Sequence, residues 1–383
     1  MTLGSARPAS YDAIIVGARC AGAATAMLLA RRGLRVLAID RGRYGTDTLS
    51  THALMRAGVV LLHRWGVLEG IQAAGTPLLR STSFHYDDKV VAIPIKPKDG
   101  IQGLSAPRRT VIDAQLVDAA RAAGAEVAFD TQLVGLLRAD GDRVCGVRCR
   151  TGHGQELQIR AGIVIGADGV RSSVARLVGA PYDRIGHHAT GLIFSYWPVA
   201  SGEGYHWYFR QGVSAGVIPT NDGLACVFVS VPQSRFRDEF RLGPGEGHAR
   251  LMRTFWPDLA DRLDSTQRAD RYRGFGGEVG YFRRSWGPGW ALVGDAGYFK
   301  DPLTAHGITD ALIDAESLAH AVAAGSEHRL EAYQRARDER AAGLFDVTDA
   351  VASFDWDIPK VQELHRSLSD EMKKETLEVT QLA

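Results

Sequence analysis

The sequence predicts a mixed α/β and β protein: a Rossmann-like domain interwoven with a β-sheet domain and followed by C-terminal helices. Three observations carry this. Residues 11–40 read as strand, tight turn, helix and strand. Residues 80–106 switch to period-two patterning with prolines, which suggests strands of a different sheet, and residues 189–231 read as antiparallel sheet. Strand followed by helix then returns at 290–323. The expected division is therefore discontinuous, with 1–80, 108–180 and 286–330 in the first domain, 81–107 and 181–285 in the second, and 331–383 as a charged helical segment. A chain of 383 residues suits two such domains and buries a core without disulfides or metals.

In the opening unit, Ala13-Ile14-Ile15-Val16 is the continuous apolar run of a strand buried on both faces. Ala21 to Arg32, rich in alanine and leucine, is the crossover helix, and Gly33 stops it. Arg35 to Asp40 is the second strand. Between them lies Gly17-Ala-Arg-Cys-Ala-Gly22. A dinucleotide turn, Gly-x-Gly-x-x-Gly, needs its first glycine for the turn, its second for close approach to a pyrophosphate and its third for helix–strand packing. The first and third are present, and Arg19 stands at the second. There a charge beside a helix N-terminus replaces backbone closeness with attraction for phosphate. Asp40 closes the second strand 23 residues after Gly17, where a carboxylate holds ribose hydroxyls.

Residues 41–53 read as loop and Ala53 to Trp65 as helix. Val111 to Ala123 is a helix ending near Gly124, with strands near 126–129, 144–149 and 162–165. The last of these runs into Gly166-Ala-Asp168-Gly169, a strand exit. Residues 189–231 carry Phe194, Tyr196, Trp197, Tyr205, Trp207, Tyr208, Phe209 and Phe228 on strands separated by turn signals at Ser201-Gly202, Gln211-Gly212 and Asn221-Asp222-Gly223. A third chemical element follows. Trp290-Ala-Leu-Val-Gly294-Asp295 puts an aspartate at the carboxyl end of a strand, where open α/β sheets bind ligands. Asp301-Pro302 to His306-Gly307-Ile308 then opens a helix whose free N–H groups and dipole suit an anion.

Composition narrows the function classes. With 45 basic and 44 acidic residues the net charge is +1, which leaves no electrostatic footprint for nucleic acid or an anionic membrane. The four cysteines (Cys20, Cys145, Cys149, Cys226) read as free thiols in a reducing, cytoplasmic setting. Cys145 and Cys149 lack a second pair, and His187-His188 lacks further ligands, so no metal is expected. The first ten residues hold no apolar run resembling a signal peptide, and no apolar stretch is long enough to span a bilayer.

Taken together, the three elements around Gly17, Asp168 and Asp295 resemble the FAD-dependent aromatic hydroxylases of the p-hydroxybenzoate hydroxylase fold, over about residues 11–330. That fold also includes flavin halogenases and geranylgeranyl reductase-like enzymes. The resemblance implies FAD, with NAD(P)H as co-substrate. Gly17, Arg19, Cys20, Ala21, Gly22, Asp40 and Arg41 would serve the ADP half, with Leu133 near the adenine and Asp168 near the pyrophosphate. Arg56 and Arg109 would reach the pyrophosphate or ribityl region. Gly294 and Asp295 would hold the ribityl chain, and Pro302, Gly307 and Ile308 would face the isoalloxazine. His306 is the candidate for a proton role, and Tyr196, Trp207 and Phe209 are the candidates to touch substrate. Departures are Arg19 itself, Tyr298 and Lys300 where many relatives carry a histidine, and Thr309 where several carry asparagine.

The implied activity is a monooxygenase acting on a small, aromatic or polyketide-like molecule with O2, reduced by NAD(P)H directly or through a separate flavin reductase. A reductase or dehydrogenase acting on carbon–carbon bonds is the alternative. Phe354-Asp-Trp-Asp-Ile-Pro359 resembles the halogenase pattern W-x-W-x-I-P with one tryptophan lost, and far downstream of its usual place. A non-catalytic flavin module would need an output segment, for which 331–383 is the candidate.

Overall fold

Five parallel strands, in the order Trp290–Leu292, Glu156–Gly166, Tyr11–Val16, Val36–Ile39 and Glu126–Ala128, make the sheet that the opening unit predicts. They are seen in a computed structural model that describes residues 10–198, 202 and 204–381. Ile14 faces Leu37 on one side and Val164 on the other, and all three are fully buried. The apolar run at 13–16 is thus a central strand. The sheet's far part is an antiparallel meander of Thr131–Arg138, Val144–Thr151 and the first half of Glu156–Gly166. The first of these strands was not anticipated.

The crossover helix spans Cys20–Ala30 and lies between the helices Arg109–Ala122 and Gly307–Ala323. It sits so close to the strand before it that a Cβ on Gly22 would stand 1.8 Å from the carbonyl oxygen of Gly17. This is the close helix–strand packing that the third glycine of the turn allows.

A second sheet has seven strands in the order Arg273–Phe275, Thr190–Trp197, Ala225–Pro232, Val213–Pro219, Gly204–Arg210, Ser81–Tyr86 and Lys89–Pro94. Every pairing is antiparallel except that of Gly204–Arg210 with Ser81–Tyr86. The segment 81–107 therefore supplies strands to the same sheet as 181–285. Three helices, Gln233–Glu239, Pro244–Phe255 and Pro257–Asp264, interrupt that second segment and cover one face of the sheet. The expectation of a β-rich segment over 181–285 does not hold through these helices. Proline at the start of two of them, followed by an amphipathic pattern, is their signal in the sequence. The turn at Ser201-Gly202 and the segment 1–9 lie at least partly outside the described residues.

A small sheet of Tyr182–Ile185, Tyr281–Arg283 and Tyr298–Phe299 joins the two halves. The chain then forms two long helices, Glu327–Ala352 and Ile358–Gln381. The Phe354–Pro359 stretch is the joint between them. Trp356 is buried there and donates its indole N–H to the Val351 carbonyl at 2.8 Å, which is a structural use of the tryptophan.

Replacing Gly22 by Val forces the helix off the sheet. The expected loss in urea unfolding is at least ~2 kcal/mol; a variant with unchanged midpoint would show that the helix can shift freely.

Candidate active site

The carboxyl ends of the parallel strands converge on one cavity of about 520 Å³. Gly17 leaves the first strand, Asp40 the second, Asp168 the Glu156–Gly166 strand and Asp295 follows the Trp290–Leu292 strand. All four line the cavity. At Gly17 the backbone turns with φ of +102°, and an added Cβ would stand 2.4 Å from the Ala167 carbonyl oxygen. Only glycine lets the two strand exits approach in this way.

Asp40 accepts from the backbone N–H of Ala18 at 2.8 Å with one oxygen and from Gly42 at 2.7 Å with the other. It therefore braces the turn, and each oxygen keeps a lone pair for a hydroxyl. Asp168 is pinned likewise, accepting from the Ser172 hydroxyl at 2.5 Å and the Ser173 N–H at 2.6 Å.

Arg19, Cys20 and Arg109 also line the cavity, and all three are gathered by Asp113. One carboxylate oxygen accepts from Arg19 at 3.0 Å; the other accepts from the Cys20 thiol at 3.0 Å and from Arg109 at 3.1 and 3.0 Å. Arg19 also donates to the Thr46 carbonyl at 2.9 Å. Its guanidinium is thus folded back onto the protein, which explains how an arginine is tolerated at a glycine position. Burial pushes the Cys20 thiol far up, so it stays protonated.

At the other end Asp295 faces the loop that begins the Gly307–Ala323 helix. Burial, and then the Asp310 charge, push its carboxyl up to about 7, against the opposing pull of Arg109 and Lys300. The loop itself is held by Asp301. One oxygen of Asp301 caps the Pro302–Thr304 turn through the Leu303 N–H at 2.9 Å, and the other accepts from the Thr190 N–H at 2.6 Å. That second bond ties the loop to the seven-stranded sheet, which contributes Leu192, Phe194 and Phe275 to the cavity wall.

Ala21, Arg41, Leu133, Pro302, Gly307 and Ile308 stand on the wall as well. Seven expected site residues do not. Gly22 and Gly294 are consumed by packing, the latter with its Cβ position against Ala21 and Ala311. Arg56 starts the Arg56–Arg64 helix but donates outward, to the carbonyls of Lys96 at 2.8 Å and Lys98 at 3.4 Å. Trp207 and Phe209 sit on a strand three places from Thr190–Trp197 in the sheet, roughly 14 Å away at normal strand spacing. Tyr196 is on the right strand, two residues beyond Phe194, but is covered by His52.

His306 does not stand on the cavity wall. It is buried behind the loop, with Nε2 2.9 Å from Glu375 and Nδ1 3.4 Å from Asp310. Burial, then the Lys300 charge, drop it to about 3, so it is neutral. His306, Asp310 and Glu375 are the grouping among the described residues whose geometry could offer ligands to a metal. Lys300 pairs with Asp310 and already places a cation there.

Sequence reasoning missed Thr48 to Ala53, Phe194, Phe275, Phe299, Lys300 and Arg171, all of which line the cavity. The polar run at 46–51 was a legible loop, but nothing local said that it folds over a pocket.

The cavity thus joins a glycine cradle with several arginines at one end to an aromatic wall at the other, a donor set that fits an extended dinucleotide with a planar ring. A family model described as an FAD binding domain matches residues 10–348. The chain belongs to that family. It is 33% identical over 206 residues to aklavinone 12-hydroxylase RdmE of Streptomyces purpurascens, covering 48% of this chain and 38% of that protein. Against digeranylgeranylglycerophospholipid reductase of Methanocella arvoryzae it is 27% identical over 79% of this chain and 74% of that one. Against 6-methylpretetramide 4-monooxygenase of Streptomyces rimosus it is 27% identical over 87% and 80%. The flavin-dependent brominase Bmp2, as a triple mutant, superposes with a TM-score of 0.84 at 20% identity, covering 97% of this chain and 95% of that one, which shows a shared fold. The protein is an FAD-dependent oxidoreductase.

Two outcomes are expected. Asp113→Ala leaves Arg109 buried without its partner and should cost about 3 kcal/mol in denaturant unfolding of the apoprotein; an unchanged midpoint would remove Asp113 from this role. The raised carboxyl of Asp295 stabilises the fold most below the ordinary aspartate value of 3.8, and that contribution is lost as pH rises through about 7. Asp295→Asn should therefore raise the apoprotein Tm at pH 8 and leave it unchanged near pH 4, while lowering FAD occupancy.

Proposed function

We propose that the protein is an FAD-dependent monooxygenase that hydroxylates or epoxidises a small aromatic or polyketide-like molecule, using O2 and reducing equivalents from NAD(P)H. The observation that carries this is the apolar end of the cavity. Leu192, Phe194, Phe275 and Phe299 form an aromatic-rich wall in the same cavity as Pro302, Gly307 and Ile308. Gly17, Arg19, Asp40, Arg41 and Leu133 would take the ADP half of FAD. Asp295 would hold the ribityl chain, and Pro302, Gly307 and Ile308 would face the ring. When bound, FAD supplies the redox and oxygen chemistry. The chain's own task is to orient the substrate and keep water out. The names of two relatives, a hydroxylase and a monooxygenase from Streptomyces, support this reading.

The same reading divides the chain into FAD-binding segments 1–80, 108–180 and 286–330 and substrate segments 81–107 and 181–285, in keeping with the two sheets. It places the enzyme in the cytoplasm, and among the described residues no helix is long and apolar enough to cross a membrane. Reduction by a separate flavin reductase remains part of the proposal.

The reductase relatives favour a second reading, saturation of carbon–carbon double bonds. Labelled dioxygen separates the two. Incubation with NAD(P)H and candidate aromatic substrates should give a product carrying one labelled oxygen atom. A product that gains two hydrogens without oxygen uptake would replace the monooxygenase with a reductase. Activity only after adding a flavin reductase would assign the electron source.

A further inference from the structure

His52 stands on the cavity wall with its side chain buried. It is 1% exposed and holds a φ of +70°, in the left-handed region that side chains other than glycine adopt at a cost. Its backbone is clamped there. The His52 N–H donates to the Ser50 hydroxyl at 3.0 Å, and the Leu54 N–H donates to the Ser105 carbonyl at 3.0 Å. The ring lies stacked on Tyr196, with Nε2 2.5 Å from the Tyr196 hydroxyl. The other ring nitrogen, Nδ1, is buried and has no hydrogen-bond partner among the described residues. An orphaned buried polar atom on a residue of the cavity wall, held by a strained backbone, points to a partner that the described residues do not supply.

The tautomer follows from the neighbours. Burial holds the imidazole well below its ordinary value, and the charges of Arg108, Arg109 and Arg273 add to that, so the ring is neutral. The Tyr196 phenol stays protonated, pushed up first by burial, and the Arg108 guanidinium lies 3.9 Å from the centre of its ring, making it a better donor. The phenol proton therefore points to Nε2, and the imidazole proton sits on Nδ1. Phe194 and Leu192, one and two alternations back along the strand from Tyr196, line the same cavity.

We propose that His52 donates from Nδ1 to a carbonyl or phenolate oxygen of a planar aromatic substrate seated against Phe194, with Tyr196 as the positioning residue that fixes the tautomer. This rests on reading the apolar end of the cavity as the substrate end. It narrows the substrate to a ring system that carries an acceptor oxygen in its plane. The flavin's own ring carbonyls offer the same chemistry, so the test must tell the two apart.

The FAD-loaded enzyme is titrated with alizarin, a hydroxyanthraquinone, and binding is read from the quinone's difference spectrum. FAD affinity is measured separately by adding FAD to apoprotein. His52→Phe keeps the ring and removes both nitrogens. It should weaken alizarin ~10-fold while leaving FAD affinity within about twofold. His52→Asn tolerates the positive φ and carries an amide nitrogen as many bonds from Cα as Nδ1, so it should recover most of the alizarin affinity. Tyr196→Phe should give a several-fold loss. Equal alizarin binding by wild type and His52→Phe overturns the proposal, as does failure of the wild type to bind alizarin. A loss that falls on FAD instead hands His52 to the flavin and overturns it too. The labelled-oxygen experiment stands apart: binding that depends on His52 without oxygen transfer would sink the monooxygenase and keep the recognition site.

Discussion

The glycine-cradle end of the cavity hangs on one carboxylate. Asp113 lies on the helix Arg109–Ala122, which packs against the crossover helix Cys20–Ala30, and its two oxygens take up Arg19, Cys20 and Arg109 together. Two cations and one anion leave a net positive charge at the mouth of a helix N-terminus. That suits a pyrophosphate better than a neutral cluster would. The geometry also explains the departure of the turn from Gly-x-Gly-x-x-Gly. The side chain at the second position lines the cavity but is tied back to Asp113 and Thr46.

The opposite end is governed by burial of charge. Lys300, Asp310, His306 and Glu375 are buried in one cluster, with Asp295 and Asp314 nearby. More carboxylates than cations share a poorly solvated space, so protons must be kept: Asp295 rises to about 7 and Glu375 to about 8, each first through burial and then through Asp310. A ligand bound next to Asp295 meets a group that is part protonated near neutrality. Its charge state is set first by its own burial and then by the cluster behind it.

What was readable in the sequence was what chemistry demands locally. Gly17, Asp40, Asp168 and Asp295 each sit at a strand exit, where a short apolar run followed by a turn residue shows where the strand must end. What was not readable depended on long-range placement. Phe194 and Tyr196 share a strand face, yet only Phe194 reaches the cavity, because a loop from residues 48–53 lies over its neighbour. Trp207 and Phe209 looked equally suitable until the strand order put three steps between them and the site. His306 stands between Ala305 and Gly307, which line the cavity, but the loop turns its ring inward, toward the helix Ile358–Gln381.

That last helix, Ile358–Gln381, is stitched to three distant parts of the chain. His365 meets the Tyr86 hydroxyl at 2.7 Å, the Val379 carbonyl accepts from Arg64 at 2.6 Å, and Glu375 meets His306 behind the loop. The order of synthesis then matters. Domains take shape from the N-terminus as the chain emerges, so the glycine cradle can form early, while the backing of the loop from Pro302 to Ile308 is made last. The Pro302–Ile308 loop thus gains its buried backing only once Glu375 has been made, whereas the residues of the glycine cradle, from Gly17 to Asp168, are all made earlier.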